Sequence, residues 1–335
     1  MKWIKKIVVG IVCIFVCGAS YQFISTKLDE HRYPPLGQMV DVGGYKLHMY
    51  STGSGGPAVI LESGLGCPTP DWGLVQPEIA KFTQVVSYDR AGLGWSEASP
   101  LSRTSEHIVQ ELHTLLQNAN IPKPYILVGH SFGGNNVQLY AATYPDEVLG
   151  IVLVDSCHEE QESRLPPNPF QERLKLLQNP SMVRFMSTFG ISRFRSQVLK
   201  KRMPLLPDSM EKAHLALIAT TKHRCTISAE IRNLPESLKQ LENTNRSSLK
   251  NKPCIVLSAG REPDLTKFAI SEEEQNAIHK MQLVWNELQN DLASKFENSH
   301  HFIAEKSDHF IPFHQPELVI DAVRGLINPK INEDL

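Results

Sequence analysis

Apolar residues along the chain follow three rhythms, and each predicts a different kind of element. Short unbroken apolar runs at 58–61, 84–88, 125–128, 150–155, 253–258 and 301–304 are bounded by turn residues. They predict strands buried on both faces. Residues 39–42 and 45–50 alternate around Gly43-Gly44, the pattern of a hairpin. Between the runs a period near 3.6 predicts helices. At 104–118 it places Ile108, Leu112, Leu115 and Leu116 on one face, and it recurs at 135–144. Asp71 is placed to cap a helix over 72–80, and Ser271-x-x-Glu274 is a capping box opening a helix to 296. Gln315-Pro316 starts a final helix through Leu326. Strands alternating with helices specify a mostly parallel central sheet flanked by helices on both faces.

Two stretches break this rhythm. From 157 to 250 no buried strand occurs, and amphipathic pieces at 171–177, 209–219 and 237–241 are punctuated by prolines. Inserted between two sheet strands, this segment predicts a helical cap over the C-terminal strand ends, where open α/β sheets bind ligands. At the N-terminus, Lys2, Lys5 and Lys6 precede an apolar run from Ile7 to Ile24. The run predicts a hydrophobic helix that anchors the chain in a membrane, with a cleaved signal peptide, and then a buried helix, as the alternatives. In the first two cases the lysines stay cytoplasmic and the chain beyond Ile24 lies outside. The expected organisation is an anchor or signal over 1–25 and a Pro34-Pro35-containing linker over 26–38. A core of 39–156 and 251–335 comes next, interrupted by the cap at 157–250.

Composition narrows the function. The 335 residues carry a net charge of -2 with 21% charged side chains, so no basic surface points to nucleic acid. Of six cysteines, Cys13 and Cys17 lie in the apolar run. Cys67, Cys157, Cys225 and Cys254 are scattered without metal-ligand spacing, and the candidate serine chemistry below requires no metal or other cofactor. Free thiols are the expected state, with a bridge from Cys157 to Cys225 or Cys67 left open.

The candidate chemistry centres on Gly129-His130-Ser131-Phe132-Gly133, set between a predicted strand and a predicted helix. Glycines flanking the serine permit a sharp turn, which lifts the hydroxyl above the sheet at a helix N-terminus. A serine hydroxyl at neutral pH needs an adjacent base, and histidine is suited to that.

This G-x-S-x-G is joined by Tyr88-Asp-Arg-Ala-Gly-Leu-Gly-Trp-Ser96 and by Ser307-Asp-His309 ahead of Gln315-Pro316-Glu317. With these three motifs the chain, from about Met39 onward, resembles the α/β-hydrolase family. It is most similar to the capped serine hydrolases that include esterases, proline-type aminopeptidases and C–C bond hydrolases. The resemblance implies Ser131 as nucleophile and His309 as base, lying last in chain order. The usual acid position after 255–259 holds Pro263, flanked by Glu262 and Asp264, so the alternative acid Asp155, ending the preceding strand, is favoured and Asp264 is the runner-up. The oxyanion donors implied are the N–H groups of Phe132 and Leu65. Asp89 and Arg90 are expected to pair and hold their turn, His130 to be structural, and Trp72 and Trp95 to pack. The implied activity is cleavage of a small-molecule ester through an acyl-enzyme, with an amide or C–C bond as alternative substrate and a non-catalytic binding protein as the remaining one. Oligomeric state carries no signal in the sequence.

Overall fold

The computed structural model describes residues 2–167, 175–194, 206–261 and 271–328. The apolar runs assemble into one sheet of eight strands, ordered β1-β2-β4-β3-β5-β6-β7-β8. These are β1 (Gln38–Asp41), β2 (Lys46–Thr52), β3 (Ala58–Glu62), β4 (Val85–Tyr88), β5 (Tyr125–His130), β6 (Val148–Val154), β7 (Cys254–Ala259) and β8 (Ser299–Ala304). β1 and β2 form the expected hairpin, β2 joins β4 antiparallel, and every other pairing is parallel. β3, β4, β5 and β7 are buried at every position, which is why they read as unbroken apolar runs.

The helices are α1 (Lys2–Arg32), α2 (Gln76–Ile79), α3 (Ser105–Asn118), α4 (Phe132–Thr143), α5 (Gln161–Arg164) and α6 (Pro180–Thr188). They continue with α7 (Asp208–Ile218), α8 (Thr221–Glu242), α9 (Glu272–Ser294), α10 (Ile311–His314) and α11 (Pro316–Ile327). Alternate residues of the sheet feed two cores. Ile60 and Leu127 pack with Leu112 of α3, Val137 of α4 and Leu292 of α9. Val59, Ile126 and Val128 pack with Ile79 of α2 and Val319 and Val323 of α11. Each such aliphatic side chain contributes roughly 1.5–3 kcal/mol when fully buried. The capping box at Ser271 and Glu274 opens α9 as expected.

Three local expectations change. The helix begun by the apolar run continues to Arg32, so 26–32 is helix rather than linker; no breaker intervenes before Pro34. Asp71 caps no helix over 72–80. It lies inside a 3₁₀ turn, Thr69–Trp72, and its carboxylate meets His214 Nδ1 at 2.5 Å. The piece at 237–241 belongs to α8, a 22-residue helix that runs through Pro235. Of the expected helix at 171–177, residues 171–174 lie outside the described residues.

α1 is long and apolar enough to cross a membrane. Its C-terminal half docks on the segment between β6 and β7. Gln22 is 4% exposed and donates to Ala219 O at 3.0 Å. Arg193 bonds Gln22 and Thr26 and forms an ion pair with Asp29. Nearer the N-terminus, the Phe15 ring lies 5.4 Å from Phe185 and 4.8 Å from Phe189.

Candidate active site

Four parallel strands deliver the candidate residues to one edge of the sheet. Ser63–Gly66 follow β3, Ser131 follows β5, Asp155 follows β6 and His309 follows β8. Ser131 adopts φ 54° and ψ −121°, a conformation that costs a non-glycine residue of order 1–3 kcal/mol. The surroundings enforce it. Ser131 N–H donates to Val154 O and Ser131 O accepts from Cys157 N–H, each at 3.0 Å. The neighbouring glycines are required by crowding: a Cβ on Gly129 would stand 2.6 Å from Gly133 O, and one on Gly133 2.3 Å from Glu62 O.

Ser131, His309 and Asp155 lie in line. His309 Nε2 is 2.9 Å from Ser131 Oγ, and His309 Nδ1 is 2.6 Å from Asp155 Oδ2. Asp155 is 2% exposed and its other oxygen accepts from Ala259 N–H at 3.0 Å and the Trp285 indole at 3.1 Å. Burial alone would raise this carboxyl. The imidazole and the two other donors outweigh it and hold Asp155 below the usual carboxylate range. An ionised Asp155 accepting from Nδ1–H leaves the Nε2 lone pair facing the serine hydroxyl. Asp264 and Glu262, the other candidate acids, lie outside the described residues.

His130 sits beneath this row. Its ring is 4.9 Å from that of His309, and its Nε2–H donates to His309 O at 2.8 Å. Burial, and then the neighbouring His309, lower His130 to about 4, so it stays neutral and fastens the loop that presents His309. A cavity of about 10 Å³, room for one water, lies beside it, bounded by Gly64, Cys67, Trp72 and Phe313.

The loop after β3 is held by partners that local sequence did not reveal. Asp89 and Arg90 do not pair with each other. Asp89 accepts from His48 Nδ1 and from the N–H groups of Thr69 and Trp95. Arg90 bridges Glu62 at 2.8 Å and Glu230, on α8, at 2.7 Å. All three are buried, and Arg90 offsets only part of the desolvation of Glu62, so burial still holds that carboxyl above the usual range. Arg90 also donates to Ser63 O at 2.6 Å and to Gly64 O at 2.7 Å. Gly66 N–H donates to Glu230 at 2.8 Å, and His223 Nε2–H donates to Gly66 O at 2.9 Å. Among the described residues, neither Leu65 N–H nor Phe132 N–H has an acceptor. Gly64 packs against the serine, since a Cβ there would meet Ser131 Cβ at 3.3 Å. Trp72 is buried and its indole donates to Ser63 Oγ at 2.8 Å, whereas Trp95 donates to Tyr33 O.

All six cysteines are free thiols. Among the described residues no cluster of three or more His, Cys, Asp or Glu side chains could hold a metal ion.

Fold and site together define the class. The chain has the α/β-hydrolase fold, and a family model for the alpha/beta hydrolase fold matches residues 57–198. The chain is similar to a thermophilic esterase from Thermogutta terrifontis, with a TM-score of 0.59 and 21% identity over 88% of this chain and 98% of that one. It is 24% identical to the uncharacterized protein YqjL of Bacillus subtilis, over 80% of this chain and 82% of that protein. A 2-hydroxymuconate semialdehyde hydrolase from Pseudomonas sp. is 30% identical over 37% of this chain and 44% of its own length.

Proposed function

We propose that this protein is a serine hydrolase that cleaves a carboxylic ester of a small molecule through an acyl-enzyme. The observation that carries the reading is the unbroken row Ser131 Oγ, His309 and Asp155, spaced at 2.9 and 2.6 Å. His309 Nε2 takes the hydroxyl proton as Oγ attacks the carbonyl carbon, and Asp155 stabilises the imidazolium that forms. The N–H groups of Leu65 and Phe132 face the developing oxyanion, and Arg90 and Glu230 hold the loop that carries the first of them. His309 then protonates the leaving alcohol, activates a water, and the acid is released. A serine nucleophile disfavours chemistry that requires a carboxylate in its place.

In the same reading α1 is a membrane anchor that leaves the catalytic domain outside the cytoplasm, with a secreted form as the alternative. An aminopeptidase or C–C bond hydrolase would use the same residues, and the partial similarity to 2-hydroxymuconate semialdehyde hydrolase favours the second of these as the alternative.

The test is labelling with a fluorophosphonate probe. The parent protein is expected to label and Ser131→Ala to lose labelling, with turnover down by on the order of 10⁴ or more. Equal labelling of both would remove Ser131 from the chemistry. Hydrolysis of p-nitrophenyl esters then tests ester cleavage, and cleavage of a prolyl amide with neither short nor long esters cut would favour the peptidase.

A further inference from the structure

The contact between α1 and the cap fixes where the cap lies relative to a bilayer. Arg193 with Gln22, Thr26 and Asp29 forms a polar collar on α1, and these groups belong at the water side. Phe15, whose ring meets Phe185 and Phe189, lies seven residues nearer the N-terminus than Gln22. At 1.5 Å per residue that is about 10 Å deeper. If the collar stands at the headgroups, α6 is level with the acyl chains.

The surface of α6 agrees with that depth. Met182 and Phe185 are 47% and 44% exposed, and Ile191 and Phe194 just beyond are 39% and 66% exposed. They sit directly beside a helix whose own apolar residues are also exposed, among them Ile14 at 70%. An apolar surface continuous with a spanning helix belongs in the same medium. Arg184 is the one charge on α6, and its long stem lets the guanidinium reach back to the headgroups.

We propose that α6, and the residues after it as far as the Arg193 collar at the headgroups, are seated in the lipid leaflet beside α1, so that the protein meets the membrane twice, through an anchor and through its cap. This seating rests on α1 being the membrane anchor of the proposed function. α6 packs on α8, whose Glu230 holds the loop beside Ser131, and the substrate class this seating implies is an acyl ester dissolved in that leaflet.

The test uses the full chain with Cys13, Cys17, Cys67 and Cys225 replaced by serine, reconstituted in phosphatidylcholine–phosphatidylglycerol vesicles. Single cysteines are introduced as Met182→Cys, Phe185→Cys, Phe194→Cys, Ile14→Cys on α1 and Arg324→Cys on α11, and each is labelled with a polarity-sensitive fluorophore. Only proteins that keep the parent's melting temperature are scored, and the three cap positions substitute for one another. Phosphatidylcholine brominated on its acyl chains is expected to quench the cap labels by about twofold or more and to leave the Arg324 position unchanged. Unquenched cap labels beside a quenched Ile14 label would overturn this inference alone. An unquenched Ile14 label would instead overturn the anchor reading, and quenched cap labels in that case would still support insertion of α6.

Discussion

Asp155 shows how much one side chain decides. Its two oxygens are divided between tasks: Oδ1 is held by Ala259 N–H and the Trp285 indole, while Oδ2 faces His309 Nδ1. In Asp155→Asn the amide oxygen can keep the first pair of bonds. The amide nitrogen then faces the imidazole and donates, which moves the ring proton to Nε2, where it cannot accept from serine. Turnover is expected to fall by on the order of 10³–10⁴ with the melting temperature little changed, measured by ester hydrolysis and thermal unfolding. A variant of near-parental activity would take the acid's role away from Asp155. Ser131 and Asp155 were legible as candidates because each follows a buried run at a strand end. β8, expected to be buried on both faces, is buried only at Ala304, and His309 was read from the Ser307-Asp-His309 motif five residues beyond it. Trp285, the bond from His130 to His309 and the partners of Arg90 were not legible. Trp285 lies 130 positions from Asp155, His130 lies 179 from His309, and Arg90 lies 140 from Glu230 and 28 from Glu62, and nothing in a local pattern encodes a contact at such ranges.

Among the elements, α8 does more than cover the site, and its His223 makes that testable. Nδ1 of His223 accepts from Gly94 N–H at 3.0 Å while Nε2–H donates to Gly66 O, an arrangement only the neutral ring can satisfy. Burial, opposed in part by the bond to Gly66, lowers His223 to about 3. The unfolded chain therefore binds this proton more readily than the folded one. The stabilisation is complete above about pH 6.5 and drains away as pH falls toward the folded value. Between pH 6.5 and 4.5 this residue alone should remove about 2–3 kcal/mol. Urea unfolding of the parent and of His223→Asn across that range should show the parent's stability falling more steeply; parallel curves would refute the assignment. The sequence marked α8 only as a short amphipathic piece at 237–241, because Pro235 reads as a stop. Packing overrides it: Ile231, Leu238 and Leu241 are buried on either side of that proline.

On the scale of the whole molecule, α1 is part of the folded body as well as long and apolar enough to cross a membrane. Removing residues 2–32 would strip Arg193, 5% exposed, of Asp29, Gln22 and Thr26, and would uncover Phe185 and Phe189. Losing those partners should cost roughly 2–4 kcal/mol. The truncated chain is expected to melt about 5 °C or more below the full one, measured by differential scanning fluorimetry in the same detergent. An unchanged melting temperature would reduce α1 to a leash. The mostly parallel sheet followed from apolar runs separated by helices, whereas its strand order and the docking of α1 did not. The docking depends on single residues such as Gln22 inside an otherwise uniform apolar stretch. Arg90, gripped from the cap by Glu230 and from the sheet by Glu62, has one more implication. It behaves as an interlock: were α8 to swing aside for a bulky guest, the clasp on Ser63–Gly66 would open with it. In the proposed chemistry, a guest that left α8 in place would also leave that clasp shut.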